Sequence, residues 1–274
     1  MHMKSKHIFK FIFVLFVISS GLPLFSQTAP SDSEIQAFLE GHGFDKPVDV
    51  FTAVEEIIFP KTYYTVMEMK TVQPGKRDRT LTLESWYSKG KGTLMEFLSP
   101  SRQKGIRILQ KEQALWLYNP RSNSPRPVRL SPQDSFQGSV FSNNDIGDPQ
   151  YSDDYNARIA SIEKTHHDEL GNITVVTIEG TASHQKAPYG KIVMKIDAES
   201  LLPVETDYYA RSGLLFKHMV FSDFRQIAGR KRSCFFKMDS LEIDGFYSTV
   251  ELKTLEARDS IEDWRFNESA LTRR

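Results

Sequence analysis

The chain has 274 residues, 39% hydrophobic and 12% aromatic, enough to bury a substantial core in one large domain or two modest ones. Its 35 Lys and Arg balance 35 Asp and Glu, which argues against a partner recognised by bulk charge, such as a nucleic acid or an anionic membrane. The single cysteine, Cys234, excludes an internal disulfide, and its neighbours Phe235 and Phe236 mark it as a buried structural thiol.

Residues 1–26 have the pattern of an export signal. Lys4, Lys6 and Lys10 supply a basic start, Phe11 to Ile18 an apolar stretch too short to span a bilayer, and Gly21-Leu22-Pro23 a break before cleavage near Ser26. Loss of the three lysines leaves the mature chain at about three net negative charges. No cysteine follows the segment, so a lipid-modified N-terminus is not expected, and residues 27–274 are expected to form a single exported domain.

Two helices precede the strands. Ser31 or Asp32 can cap the first, which carries Ile35, Phe38 and Leu39 on one face and stops at Gly41 and Gly43. The second spans residues 47–58, with Val48, Phe51, Val54 and Ile58 at helical spacing and Pro60 as its stop. Such a helix packs on a core or closes over a cavity as a lid.

From Lys61 the period changes to two. Tyr63, Thr65, Met67 and Met69 share one face of the first strand, Pro74-Gly75 makes a turn, and Leu81 and Leu83 lead into Trp86 and Tyr87. A turn at residues 89–92 and a third strand ending before Pro100 complete an antiparallel meander. Residues 105–145 then hold Ile106 and Ile108, a polar turn at 110–113, and a second arm at 115–118 that is apolar on both faces. Asn119-Pro120, Pro125 and Pro127 break and extend the chain before Ser135-Phe136-Gln137-Gly138-Ser139 and Asp145. Past an irregular acidic block at 147–156, further strands follow to residue 256, and the C-terminus makes one or two helical turns anchored by Trp264, Phe266 and Leu271. About a dozen antiparallel strands give a mainly β, α+β fold. Such a sheet must either close into a barrel or curve strongly with helices plugging its concave face.

No catalytic fingerprint appears, so an enzyme is not expected, and neither is a cofactor. His166 and His167 are adjacent on a strand and point to opposite faces, so no metal site is expected. Arg121, Arg126 and Arg129, with Lys231 and Arg232 after Gly229, could form a patch for anionic headgroups, but the first three sit among Ser, Asn and Pro and are expected in a solvated loop, while Arg232 opens a strand expected over 232–243. The apolar and aromatic positions are core candidates that could also line a cavity for acyl chains: Met67, Met69, Leu81, Leu83, Phe97, Ile106, Ile108, Trp116, Tyr118 and Phe136.

Gly105, Arg107-Ile108-Leu109, Leu115-Trp116-Leu117-Tyr118-Asn119-Pro120, residues 126–130, Ser135 to Ser139 and Asp145 form an ordered set. With Tyr189-Gly190, Leu202-Pro203-Val204, Tyr208-Tyr209, Gly213 and Lys217, the set resembles the outer membrane lipoprotein-sorting protein family, relatives of the periplasmic lipoprotein carriers (LolA-like). Val140 and Asn143-Asn144 stand where that family tends to carry acidic and aromatic residues. The resemblance implies a half-open β-barrel with helices over its concave face, in the periplasm, sheltering the acyl chains of a lipoprotein or other lipid. Inner- and outer-membrane transfer proteins are the implied partners, and the monomer is the expected state. The competing expectation is a cell-envelope protein-interaction module without lipid cargo, docking through residues 119–145.

Overall fold

The computed structural model describes residues 29–112, 114–147 and 150–273, and the export segment expected at 1–26 lies outside them. Helix α1 (Asp32–His42) opens on a capping box: the Ser31 hydroxyl accepts from the Glu34 N–H while the Glu34 carboxylate accepts from the Ser31 N–H. Gly43 ends it in the left-handed region at φ 71°. Helix α2 (Val48–Ile58) is the apolar one, with Val50, Phe51 and Val54 fully buried.

Thirteen strands follow among the described residues. β1 (Thr62–Val72), β2 (Arg79–Ser88), β3 (Gly92–Ser99), β4 (Arg107–Lys111), β5 (Ala114–Tyr118) and β6 (Val128–Leu130) form one meander. β7 (Tyr155–His167), β8 (Gly171–Ala182), β9 (Lys191–Asp197), β10 (Pro203–Tyr209), β11 (Leu215–Ile227), β12 (Arg230–Ser240) and β13 (Tyr247–Ala257) form the other. Pairing of β1 with β13 joins the two into one antiparallel sheet, and its edge strands β6 and β7 are not paired with each other, so the sheet stays open. Between the meanders run a 3-10 turn at Phe136–Gly138, α3 (Asn143–Ile146) and α4 (Tyr151–Asp154).

The sheet is strongly curled. At the usual strand spacing β5 and β7 would lie roughly 50 Å apart in a flat sheet. Yet Leu115 of β5 and Asp154, just before β7, line the same cleft. Residues of one face accordingly merge into a single core cluster that includes Met69, Phe97 and Ile108 from the first meander and Ile178, Ile192, Met219 and Met238 from the second. The buried side of α2 enters this cluster. Its Phe51 presses on Gly180 of β8 so closely that a Cβ there would meet the Phe51 ring at 3.1 Å and Tyr155 and Ile192 at 3.0 Å.

A smaller cluster forms on the opposite face, where Leu94 and Leu109 are covered by Ala270 and Leu271 of α5 (Ser269–Thr272). Arg107 donates to the Ala270 carbonyl at 3.1 Å and pairs with Glu96 at 2.7 Å, fixing this C-terminal cap. The dual covering explains why residues 115–118 are apolar on both faces: Leu115 belongs to the main core, while Trp116 and Tyr118 pack against the outer cluster.

Candidate functional site

Much of the chain from 136 to 143, between β6 and β7, runs through the interior. Phe136, Ser139, Val140, Phe141, Ser142 and Asn143 are all at most 5% exposed. Phe136 stacks on Phe97 of β3 at 6.1 Å between ring centroids, and the Val140 N–H donates to Ser248 Oγ of β13 at 3.1 Å. Ser248 in turn bonds Thr71 of β1 at 3.2 Å. The tight bend that allows this burial passes through Gln137 and Gly138 at positive φ, 50° and 72°. Arg79 caps it by donating to both carbonyls, at 3.0 and 2.8 Å. A side chain at 138 would start 3.0 Å from that guanidinium.

The same segment ends in a buried polar latch. Ser142 caps α3 in a second capping box, its N–H donating to Asp145 Oδ2 at 2.7 Å. The Tyr189 hydroxyl lies 2.8 and 2.7 Å from the two Asp145 oxygens, and Lys217 Nζ of β11 lies 3.6 Å from Oδ2 and 3.1 Å from the Tyr189 oxygen. The Asp145 and Lys217 side chains are only 9% and 13% exposed. Tyr208 packs on the Tyr189 ring at 4.6 Å, and the Tyr155 hydroxyl accepts from the Tyr189 N–H. Burial, reinforced at Tyr189 by the Asp145 charge, pushes the phenols of Tyr189, Tyr208, Tyr155 and Tyr151 above the ordinary tyrosine range. These groups therefore stay neutral donors at physiological pH. Every partner of the carboxylate is a donor that positions it, which suits holding a segment rather than transferring a proton.

Eight of the ten residues proposed from sequence come together on the inner face. Met67, Met69, Leu81, Leu83, Phe97, Ile106, Ile108 and Phe136 are each at most 7% exposed and share the cluster that holds α2, Val140 and Phe141. Trp116 and Tyr118 are placed apart from them, on the outer face under the C-terminal cap. Alternation along β5 imposes this, since Leu115 takes the inward position. Arg121, Arg126 and Arg129 are exposed as expected, whereas Arg232, in β12, is 3% exposed and joins no patch: its Nη1 donates to the Glu56 and Ile57 carbonyls at the end of α2, at 2.7 and 2.5 Å. Glu169, beside the adjacent histidines, accepts from the backbone N–H groups of Asp223 and Phe224. Cys234 is fully buried, and burial raises its thiol pKa.

The latch itself was not legible as a unit. Asp145, Tyr189, Tyr208 and Lys217 lie far apart in the chain, and no periodicity joins them; only their shared membership of the ordered family pattern marks them.

A family model described as "Uncharacterized protein" matches residues 89–273. The chain belongs to that family. No curated protein matches it. Among solved structures, a LolA superfamily protein from Nitrosomonas europaea is 20% identical, with a TM-score of 0.71 over 82% of this chain and 98% of its own. A putative outer membrane lipoprotein-sorting protein domain from Vibrio parahaemolyticus is 21% identical, with a TM-score of 0.69 over 84% and 99%. A DUF1329 family protein from Desulfovibrio piger is 21% identical, with a TM-score of 0.69 over 82% and 97%. The open sheet thus has the same fold as these solved structures.

Proposed function

We propose that this protein is a lipid carrier of the periplasm, exported by residues 1–26, that shelters the acyl chains of a lipoprotein or other lipid against the inner face of its sheet. The observation that carries this reading is what covers that face. The apolar side chains of α2 and of the buried segment 136–146 belong to the same cluster as those of that face, and both pieces are tied to the sheet by a few polar contacts. A core made only for stability also needs its apolar face covered, but it does not need a cover that can move. A carrier does, because its apolar face must be dry when empty and open when loaded, and each acyl methylene buried there gains about 0.8 kcal/mol. In this reading α2 and the segment form a plug over the concave face, and Met67, Met69, Leu81, Leu83, Phe97, Ile106 and Ile108 become the cavity wall once it moves. The activity is binding, without covalent chemistry, by a monomer that exchanges cargo with membrane-bound transfer proteins.

The test is to purify the mature protein from the periplasm, analyse its organic extract by mass spectrometry, and titrate it with a fluorescent acyl probe. Co-purified lipid and saturable probe binding are expected. Absence of both overturns the carrier function, and an unprocessed N-terminus overturns the export segment.

A further inference from the structure

A cleft of about 680 Å³ opens beside the plug, walled by the β2–β3 turn, β4, β5, residues 131–144 and the β8–β9 loop. Its lining includes Leu115, a 3% exposed member of the main core, so its floor reaches the face assigned above to acyl chains. Its polar wall is rich in carboxamides. Six carboxamides line it: Gln110, Gln133, Asn143, Asn144, Gln150 and Gln185. Among the described residues, the side chains of Gln133, Asn144 and Gln185 make no hydrogen bond, and Gln110 Oε1 is buried without a donor. Unused carboxamides present donors and acceptors together, at no charge.

The charged groups of the cleft do not make an anion site. Among the described residues no arginine lines it, and the acids Glu112, Asp153 and Asp154 outnumber its lysines, of which Lys91 is committed to Asp263 at 2.5 Å. His184 is held by Asp154 at 3.2 Å. A phosphate placed here would meet net negative charge and lose solvation that no guanidinium replaces. A sugar's hydroxyls, by contrast, match the free amides as both donors and acceptors.

Resting on the carrier reading, we infer that this cleft is the headgroup site of the cargo, and that it selects an uncharged, hydroxyl-bearing headgroup, the chemistry of a glycolipid, over a phosphate-bearing one. The acyl chains enter past Leu115 while the headgroup stays among the amides.

Two probes with the same chain separate the possibilities: n-dodecyl β-D-maltoside and n-dodecyl phosphate, each titrated calorimetrically below its micelle concentration. The maltoside is expected to bind at least about tenfold more tightly. The double variant Gln133→Ala/Asn144→Ala, at positions outside the core, is expected to lose most of that preference while binding the phosphate unchanged. Equal affinities, tighter binding of the phosphate, or a preference that survives the double variant overturns the headgroup inference and leaves the carrier function standing. Binding of neither probe overturns the headgroup inference, and if the protein also carries no co-purified lipid it overturns the carrier function as well.

Discussion

Lys217 Nζ lies 3.6 Å from the Asp145 carboxylate inside an otherwise apolar and aromatic interior, with both side chains nearly out of water. A pair in such surroundings adds little net stability compared with apolar residues of the same size, because desolvation offsets its attraction. Its worth is in placement: Asp145 belongs to the covering segment and Lys217 to the sheet. Replacing only the lysine, Lys217→Met, leaves a buried carboxylate without its cation and is expected to cost about 3 kcal/mol in urea unfolding. Adding Asp145→Asn should restore part of that loss. Both variants should take up an acyl probe faster than the parent, measured by stopped-flow fluorescence. Unchanged uptake with reduced stability would make the pair a structural tie alone.

Alkaline stability should report the four tyrosines around this pair. Tyr151, Tyr155, Tyr189 and Tyr208 are 7%, 2%, 5% and 1% exposed, and burial raises each phenol above its unfolded value of about 10. The folded state therefore holds protons that the unfolded chain has released. Their contribution is complete below about pH 10 and is lost as pH rises toward the folded values, by up to about 1.4 kcal/mol per pH unit for each phenol. Urea midpoints measured from pH 9 to 11.5 should fall steeply above 10. Tyr208→Phe should make the fall shallower, and an identical slope would mean that this phenol ionises freely in the native state.

Much of the fold is written in local patterns. The capping box at Ser31, the helical spacing of α2, and the alternation of Tyr63, Thr65, Met67 and Met69 each depend on near neighbours, and each element forms where those patterns place it. What local pattern could not assign is which side of a doubly apolar strand faces inward. Trp116 and Leu115 differ by one position, and the outcome depends on a C-terminal segment more than 140 residues later that covers the outer face. The role of Arg232 is hidden for the same reason: its place at the start of a strand is local, but its burial depends on the arrival of the α2 end, whose carbonyls accept from it.

The assignment of faces has its own test. Trp116→Ala removes a ring from the outer cluster with Leu94, Leu109 and Leu271, so it should lower stability by about 2–3 kcal/mol while leaving acyl-probe affinity unchanged. Met67→Glu, on the inner face, should abolish probe binding in protein whose circular dichroism remains that of a folded β sheet. Loss of binding in the tryptophan variant would place the ligand on the outer face instead.

Arg232 offers a way to loosen α2 without touching the apolar face. Its guanidinium donates to the Glu56 and Ile57 carbonyls, two of the orphan acceptors at a helix C-terminus, where a positive charge also complements the helix dipole. Burial, together with the nearby Arg230 charge, lowers its pKa to about 10, which keeps it cationic at neutral pH. Arg232→Met retains most of the volume but withdraws both charge-assisted bonds, at an expected cost of about 2–3 kcal/mol. If α2 is a separable cover, that loss should be local: hydrogen exchange should accelerate at amides 54–58 while amides of β1 and β2 keep their protection. Acyl-probe uptake should quicken in step. A uniform rise in exchange across helix and sheet would instead make α2 an inseparable part of the core, and the apolar face beneath it would have no route to a ligand through that helix.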